Sequence, residues 1–569
     1  MKEKDPIAEQ IIKRNDALKG KRSTWDTLWQ SIADYVQPRK SQITTKKTEG
    51  VEGYTEELYD ITAIQANGTL AAGQLAYLTP ANDVWMKYEA PEQLKETAGF
   101  AGKAWYAKCT EIIHRERARS NFYTEIHEFY LDRGGQGTAL IYCEEGKQTL
   151  FNYCNEEVGT YAIAQDDQGM VDTVFIERTM TARQMRQKFG EDNLGEKVKK
   201  ALASSNPDDL DKEFTVIWAV FPREDMKDGE PQTALTRDAR KMDGPNKPIA
   251  SIYVCREDKK VVRNSGYDEM PSMVSRFLKW GKQPYGFSPS IIALPTIKQV
   301  NFIEKMMDAL AEKTAFPPVL VPEGMDGEVD LRSGGVTVFD PNAPNSAMPK
   351  EWGTMGRYDI GKDRVEVKRK MIEQAFHNDL FRMFTDLDKT ITAYEAMQRA
   401  AEKLVQFSPT FARLQTEVFN PLGRREFALA FRAGALPEPP REVYVETPDG
   451  GYALPVPEIV CVSRIALAIK ALQNRAFLEF VSLIQPLLQL DPTIMDNFDL
   501  DKAARGIADN VALPPEWQRS EEDVAAIRQQ RAEMQQRQQQ IAEAQGTAKA
   551  AKDLSAAAPE LRKLVPSAA

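Results

Sequence analysis

Apolar residues recur at three- and four-residue steps along most of this chain, and in its first half that period gives way to alternation. Ile7, Ile11 and Ile12 share a helical face, as do Trp25, Leu28, Trp29 and Ile32. This predicts helices over residues 5–36, with Pro38 as the stop. Residues 39–55 are polar and contain glycine, which predicts a mobile loop. From 58 to 85 the chain reads LYDITAIQANGTLAAGQLAYLTPANDVW. Ile61, Ile64, Gly68, Ala71, Leu75 and Leu78 make one helical stripe, and Asp60 can cap its start. A second face is small throughout: Ala63, Ala66, Thr69, Ala72, Gly73 and Ala76. Small side chains let another backbone approach closely, either within a core or across subunits. Pro80 closes the helix, and VWMKYEAPE reads as a strand.

Residues 101–133 form a further amphipathic helix, with Trp105, Cys109, Ile112 and Ile113 on one side. From 138 to 180 the period shortens to two, predicting antiparallel strands with turns at Glu145-Gly146 and Asp167-Gln168-Gly169. A short helix over 181–190 takes Thr181 as its cap, and strands follow at 213–222, 249–256 and 273–280. The first half is thus α+β with a meandering sheet. In the second half, Ser288-Pro289 opens a helix whose stripe is Leu294, Ile297, Val300, Ile303, Met307 and Leu310. From Pro289 to Thr314 it would span about 39 Å at 1.5 Å per residue. Residues 317–352 are rich in Pro and Gly and read as a small lobe of short strands. A second long helix covers 359–384, with Val365, Met371, Ile372, Ala375, Phe376, Leu380 and Met383 on its apolar side. A polar break at 385–391 precedes a helical pattern running to 434, and LPEPP at 436–440 makes a stiff turn. Residues 455–515 hold another helical region. Residues 516–541 are Gln-rich, with Ile527, Met534 and Ile541 seven apart: a weak coiled-coil signal with a frayed tail beyond.

At 569 residues the chain exceeds one compact core, so two or more domains are expected. A formal net charge of −10 argues against tight non-specific binding to nucleic acid, which requires neutralising phosphates. Five cysteines without a CxxC pair, and three scattered histidines, leave zinc chemistry little to use and fit buried thiols in a reducing compartment. The N-terminus lacks a signal-peptide core, and no apolar run approaches the roughly 18–20 residues of a membrane span. The expectation is a chain made in the cytosol, with no membrane partner. Phosphate loops, nucleophile elbows and HExxH motifs are missing: GGQGTAL lacks the following lysine, and GFSPS ends on Ser290 rather than glycine. The expected role is therefore not enzymatic, with no cofactor and no metal.

Four stretches in order resemble the portal, or head-to-tail connector, proteins of short-tailed bacteriophages. ELYDITAIQANGTLAAGQLAYLTPANDVWMKYEAPE looks like that family's "YD-T-A", "LAAG" and "LTP" signature. YGFSPSIIALPTIKQVN looks like the start of its stem helix. ITAYEAMQR with LPEPP resembles its "TATE-R" helix and proline turn, with Tyr394 where Thr is usual. VSRIALAIKA is a poorer match to its "SPLARAQ" segment. The likeness spans roughly residues 5–530.

The resemblance implies a mainly helical α+β subunit of a ring, usually of twelve copies, whose channel passes double-stranded DNA. Residues 1–288 would be the wing, 289–315 and 358–384 the two stem helices, and 316–357 the clip. Residues 385–435 would hold the tunnel loop and wing helix, 436–515 the crown, and 516–569 the C-terminal barrel helix with its tail. Asp386, Asp388, Lys389 and Thr390 would face DNA in the tunnel loop. Arg332, Lys350 and Trp352 would touch motor or tail at the clip. Ala63, Ala66, Ala72, Gly73 and Ala76 would pack subunit on subunit. The implied partners are further copies of the chain, the terminase motor, a tail adaptor, and the major capsid and scaffolding proteins. The implied place is one vertex of the virion capsid, after assembly in the host cytoplasm. Two other readings compete: a non-catalytic intracellular scaffold that binds a partner through its Gln-rich helix, and a DNA enzyme with an unrecognised site.

Overall fold

The computed structural model describes residues 5–40, 43–44, 58–94, 99–226, 244–315, 319–320, 350–351, 358–382, 407–446, 451–462, 499–510, 519 and 521–561. The first helix, α1, is a single rod over Pro6–Val36 rather than two. Asp5 caps it by accepting from the Ile7 amide at 3.2 Å, and Pro6 sits where its missing N–H costs nothing. The rod joins two cores. Ala8 and Ile11 lie with Phe175, Ile217, Phe221, Ile252 and Val254, while Trp25, Trp29, Ile32 and Val36 belong to the large central cluster.

The expected meander is divided between two antiparallel sheets. β2 (Thr138–Glu145) lies between β3 (Phe151–Glu156) and a later strand, β9 (Ser272–Arg276). The next five strands pair in sequence order: β4 (Tyr161–Gln165), β5 (Val171–Thr181), β6 (Glu213–Pro222), β7 (Ile249–Cys255) and β8 (Lys260–Tyr267). Gly159, at φ +101°, lies in the connection between the two sheets, where a side chain would be strained. The turn at 166–169 closes as read: the Asp166 carboxylate accepts from the Met170 amide at 2.7 Å, and Gly169 takes φ +83°. Thr181 caps α5 (Ala182–Phe189) in a capping box with Gln184. The α6 helix (Glu196–Leu202) and β8 were not foreseen; β8 is largely half-buried and polar, so its alternation is weak.

The 101–133 helix is two helices, α3 (Gly99–Arg119) and α4 (Phe122–Gly135). The break has a local and a tertiary part: Ser120 Oγ donates to the Arg117 carbonyl at 2.6 Å and accepts from the Phe122 amide at 3.2 Å. Asn121 donates to the Tyr153 carbonyl at 2.7 Å and accepts from its amide at 3.0 Å, as a strand neighbour would. Strand β1 (Met86–Glu89) forms where VWMKYEAPE predicted it, and its partner is β14 (Glu458–Cys461), about 370 residues onward by number. Helix α2 (Thr62–Leu78) buries Ala63, Ala66, Leu70, Ala71, Gly73 and Leu78. Its inward face is thus rotated from the predicted stripe: Ile61 is exposed and Ile64 only half-buried.

The first long helix appears as expected, whereas the second, expected over 359–384, ends at Ala375. α7 covers Pro289–Ala315 and α8 covers Tyr358–Ala375. α8 ends two residues before His377, which takes a left-handed φ of +56°, and α9 (Asn378–Arg382) follows. Met371, predicted on the apolar side, faces outward at 54% exposure. Between these rods, β10 (Val319–Leu320) pairs with β11 (Lys350–Glu351) as one antiparallel pair; the expected lobe of short strands between them lies outside the described residues. Helix 407–414 continues through a π-turn, Gln415–Phe419, into α10 (Asn420–Arg432). Pro421 has no N–H for the carbonyl four residues back, which favours the wider turn. A two-residue hairpin of β12 (Val445–Glu446) and β13 (Tyr452–Ala453), then α11 (Leu500–Asn510) and α12 (Glu521–Leu561), complete the described elements. No described helix is long and apolar enough to cross a membrane.

Candidate functional site on the paired helices

Three buried arginines hold the helical run 407–432 onto the α+β base. Arg133 of α4 donates to the Thr410 carbonyl at 3.1 Å and to Ser275 Oγ at 3.0 Å. Burial pulls its pKa down to about 10. Arg276 of β9 grips Glu417: its amide donates at 2.8 Å, Nε at 2.9 Å and Nη2 at 2.6 Å. Arg117 of α3 forks onto Glu426, with Nε at 3.0 Å from Oε1 and Nη2 against Oε2. Tyr153 and Tyr88 donate their hydroxyls to the same carboxylate at 2.5 and 3.3 Å, and the Arg117 guanidinium stacks 4.6 Å from the Trp85 ring. Burial alone lowers the Arg117 pKa, but Glu426 and the two tyrosines raise it above the usual guanidinium range. Burial and Glu426 push both tyrosine pKa values well up. Such pairs are stable only when their lone pairs and protons are met, as the fork of Arg117 and the two tyrosine hydroxyls do for Glu426, whereas Arg133 Nη1 is buried without a hydrogen-bond partner among the described residues.

The paired rods stand on this base. Ser288 accepts from the Ile291 amide at 3.1 Å and donates to the Gly135 carbonyl at 2.6 Å, and Ser290 donates to the Gly134 carbonyl at 2.9 Å. Ala293, Leu294, Ile297 and Val300 enter the central core, so only the inner half of α7 is anchored there. α7 and α8 run antiparallel: Met307 lies against Gly361, and Lys368 donates to Gln299 at 2.6 Å. A Cβ on Gly361 would fall 2.2 Å from Met307 Sδ, so glycine sets the approach. Asn301 Oδ1 accepts from the Tyr59 and Asp60 amides at 2.9 and 3.1 Å, and Arg369 bridges Asp60 at 2.8 Å and Glu304 at 2.6 Å. The segment before α2 thereby locks the rods to each other.

Residues advance about 100° per step around a helix. That sorts the surface of the pair into two sides. The front carries Phe302, Ile303 and Met306 on α7 with Val367 and Met371 on α8, fringed by Lys298, Arg364 and Lys368. Phe302 is 63% exposed and Val367 60%. A groove of about 340 Å³ runs along it, lined by Lys298, Gln299, Phe302, Ile303, Arg364 and Lys368. The back carries exposed Asp308, Glu312 and Glu366 with exposed Lys362 and Lys305, the latter 5.5 Å over the Tyr59 ring, beside the Asp60–Arg369–Glu304 bridge.

The residues singled out in the sequence do not converge on one place. Asp386, Asp388, Lys389, Thr390, Arg332 and Trp352 lie outside the described residues. Lys350 is described through its backbone, opposite Leu320 in β11. The small-residue face divides. Ala63, Ala66 and Gly73 are buried within their own chain, whereas Ala72 and Ala76 are exposed. At Gly73 the close approach is to a side chain: an added Cβ would lie 2.3 Å from the Phe381 ring. The buried arginines and the outward Phe302 and Met371 were missed, because a polar residue in an amphipathic pattern reads as surface and an apolar one as core. Among the described residues no group of three or more metal-binding side chains occurs, and all five cysteines are free thiols.

Sequence comparison covers almost the whole of this arrangement. The profile of a family described as bacteriophage head to tail connecting protein matches residues 8–517. The probable portal protein of Bordetella phage BPP-1 is 29% identical over 538 residues, covering 94% of this chain and 92% of that protein. The portal protein of Salmonella phage epsilon15 is 28% identical over 553 residues, covering 96% and 95% respectively. Among solved structures, a chain of the virion of a native gene transfer agent particle aligns over 74% of this chain and 85% of its own length, at 11% identity and a TM-score of 0.31. With the family match running from α1 past α11, the chain belongs to the bacteriophage head to tail connecting proteins.

Proposed function

We propose that this chain is the portal subunit of a short-tailed phage, closing into a ring at one capsid vertex through which double-stranded DNA is packaged and ejected. The family match over residues 8–517 carries this reading. The projecting antiparallel rods supply its neck, the stem. The finer assignment follows the order of elements. The wing is the α+β base, to which the helix 407–432 is clamped; the clip follows α7, and the crown and barrel helix follow the proline turn. The ring has about twelve copies and docks first a packaging motor, then a tail adaptor, within a shell of capsid and scaffolding proteins. It is a conduit without chemistry of its own, with the force coming from the separate motor.

Charge supports a conduit that guides DNA without gripping it. A chain of net charge −10 repeated around a ring is strongly acidic. Acidic walls repel phosphate over about 8 Å in physiological salt. Dense lysine and arginine would instead form a salt-sensitive brake. Lys389, in the tunnel loop, is the cation assigned nearest the duplex.

The test is solution mass with negative-stain imaging. Twelve chains of 64.1 kDa make a particle of about 770 kDa with a central hole. Particles that remain single and solid at every concentration would refute the ring.

A further inference from the structure

The break between α8 and α9 has no local cause in the sequence. From Lys362 to Ser408 the chain holds neither Gly nor Pro, and the apolar period runs on through Ile372, Ala375, Phe376 and Leu380. Yet His377 turns left-handed, at φ +56°, and its amide donates back only three residues, to the Gln374 carbonyl at 3.0 Å. A left-handed residue other than glycine persists where its surroundings hold it, and such positions gather where a structure switches. The holding contact is on α2. Phe381 of α9 fills the notch left by Gly73, where an added Cβ would lie 2.3 Å from the ring, and it sits 6.0 Å from the Tyr77 ring one turn on. This docking leaves polar groups unanswered. Asn378 is 1% exposed, and neither its amide oxygen nor its nitrogen has a partner among the described residues. The same holds for Gln74, fully buried and next to Gly73 in sequence. A buried amide without a partner disfavours the state that buries it.

We propose that α8 and α9 form a two-position joint: bent, with Phe381 seated in the Gly73 notch of α2, and straight, with His377 right-handed and one helix running from α8 through α9. Apolar contact holds the bent position, since Leu380 and Phe381 enter the central core beside Phe376. The straight position gives up the contacts of Leu380 and Phe381, relieves His377 and lets water reach Asn378 and Gln74. Opposed terms of this kind leave two packings close in free energy. A packed seam passes between them as a step, because close-packed side chains do not deform gradually. Gly73 is the part of α2 that makes the bent position available, because any larger residue fills the notch.

A distance between two spin labels reads the joint directly. The labels go on Ala72→Cys in α2 and Asp379→Cys in α9, both exposed positions, with Cys154→Ser removing the half-buried thiol. Labelled full-length chain is diluted in unlabelled chain, so each distance lies within one copy whether or not rings form. The parent chain is expected to show a short distance and a minority of a longer one. H377G accepts the left-handed turn without strain and weakens a straight helix, so the longer population should fall about tenfold. G73A closes the notch while favouring α2 itself, so the longer population should become the major one. F381A empties the notch instead of closing it and should act in the same direction, which keeps the test alive if G73A does not fold. Hydrogen exchange separates a straight helix from a frayed end: in both of these variants the amides of 377–379 should stay protected, each bonded to the carbonyl four residues back. One short distance in every chain overturns the joint. So do 377–379 amides that exchange like unfolded chain once the notch is blocked or empty.

Discussion

Arg117, Arg133 and Arg276 lie buried in the base, each answered by a carboxylate or carbonyl of the same chain. Arg364 stands at the surface of the paired helices beside exposed Val367 and Met371. The two regions use cations for different ends. In the base, three guanidiniums, one each from α3, α4 and β9, fix one helical run, and these interactions lie within one protomer. On the rods, Phe302, Val367 and Met371 are exposed in the protomer. Substitutions in the base are therefore expected to act on protomer stability and substitutions on the exposed surface of the rods on assembly, so the two regions should separate these properties.

The largest effect is expected at Glu426. Replacing it by Ala strands Arg117 in a site where its side chain is 1% exposed and removes the acceptor of two tyrosine hydroxyls. Breaking one partner of a buried pair costs about 3–5 kcal/mol. Urea unfolding of the protomer should show that loss, with R117M/E426L recovering much of it because an apolar pair leaves no stranded charge. If E426A unfolds like wild type, the clamp is not what holds α10 to the base.

Next comes the small-residue face, where the two readings of the sequence part company. Gly73→Leu meets the Phe381 ring and should cost about 1–3 kcal/mol through overpacking. Ala72→Leu, on the exposed side, should leave protomer melting unchanged. If only Ala72→Leu abolishes rings, that exposed strip also meets a neighbour. If neither substitution affects assembly, the face serves the core alone.

Phe302→Ser ranks third in stability and first in specificity. An exposed side chain away from caps and buried networks contributes within about 0.5 kcal/mol of nothing to the fold. Melting should hold while ring formation falls. A matched loss of both would place Phe302 in the protomer core, contrary to its 63% exposure.

Much of this division was legible in the sequence. The Ser-Pro start and apolar stripe placed α7 to within one residue of its observed end, and Thr181 marked the cap of α5. These are local signals: caps, prolines and periodicity act within a few residues. What was not legible depends on distant chain. Asn121, in the break after α3, is held by Tyr153 of a strand, and β1 finds its partner at Glu458–Cys461. A buried arginine looks like a surface one until its carboxylate, 309 positions away for Arg117, is in place. On the rods, periodicity located both helices, yet Met371 was read as core: an apolar pattern cannot tell a face turned to its own domain from one turned to a partner.

The smallest effect expected is at the joint between the two regions. His377 sits at φ +56° between α8 and α9, with its ring 5.8 Å from Phe407 and 6.5 Å from Phe277. Burial lowers its pKa below the usual 6.5, with Asp379 opposing in part. Below that usual value the unfolded chain takes up a proton that the folded imidazole refuses, so stability falls as pH drops from about 6.5 through the lowered folded value. His114 is shifted the same way, by burial and then by Arg117, so it contributes the same sign. His377→Asn keeps a residue tolerant of left-handed backbone and removes the proton site. Chemical unfolding at pH 7.5 and 5.5 should show a smaller acid loss for this variant than for wild type, and the difference should vanish at the higher pH. An unchanged pH slope would mean that the joint already admits a charged imidazole, and that the rods are less firmly seated on the base than the buried ring implies.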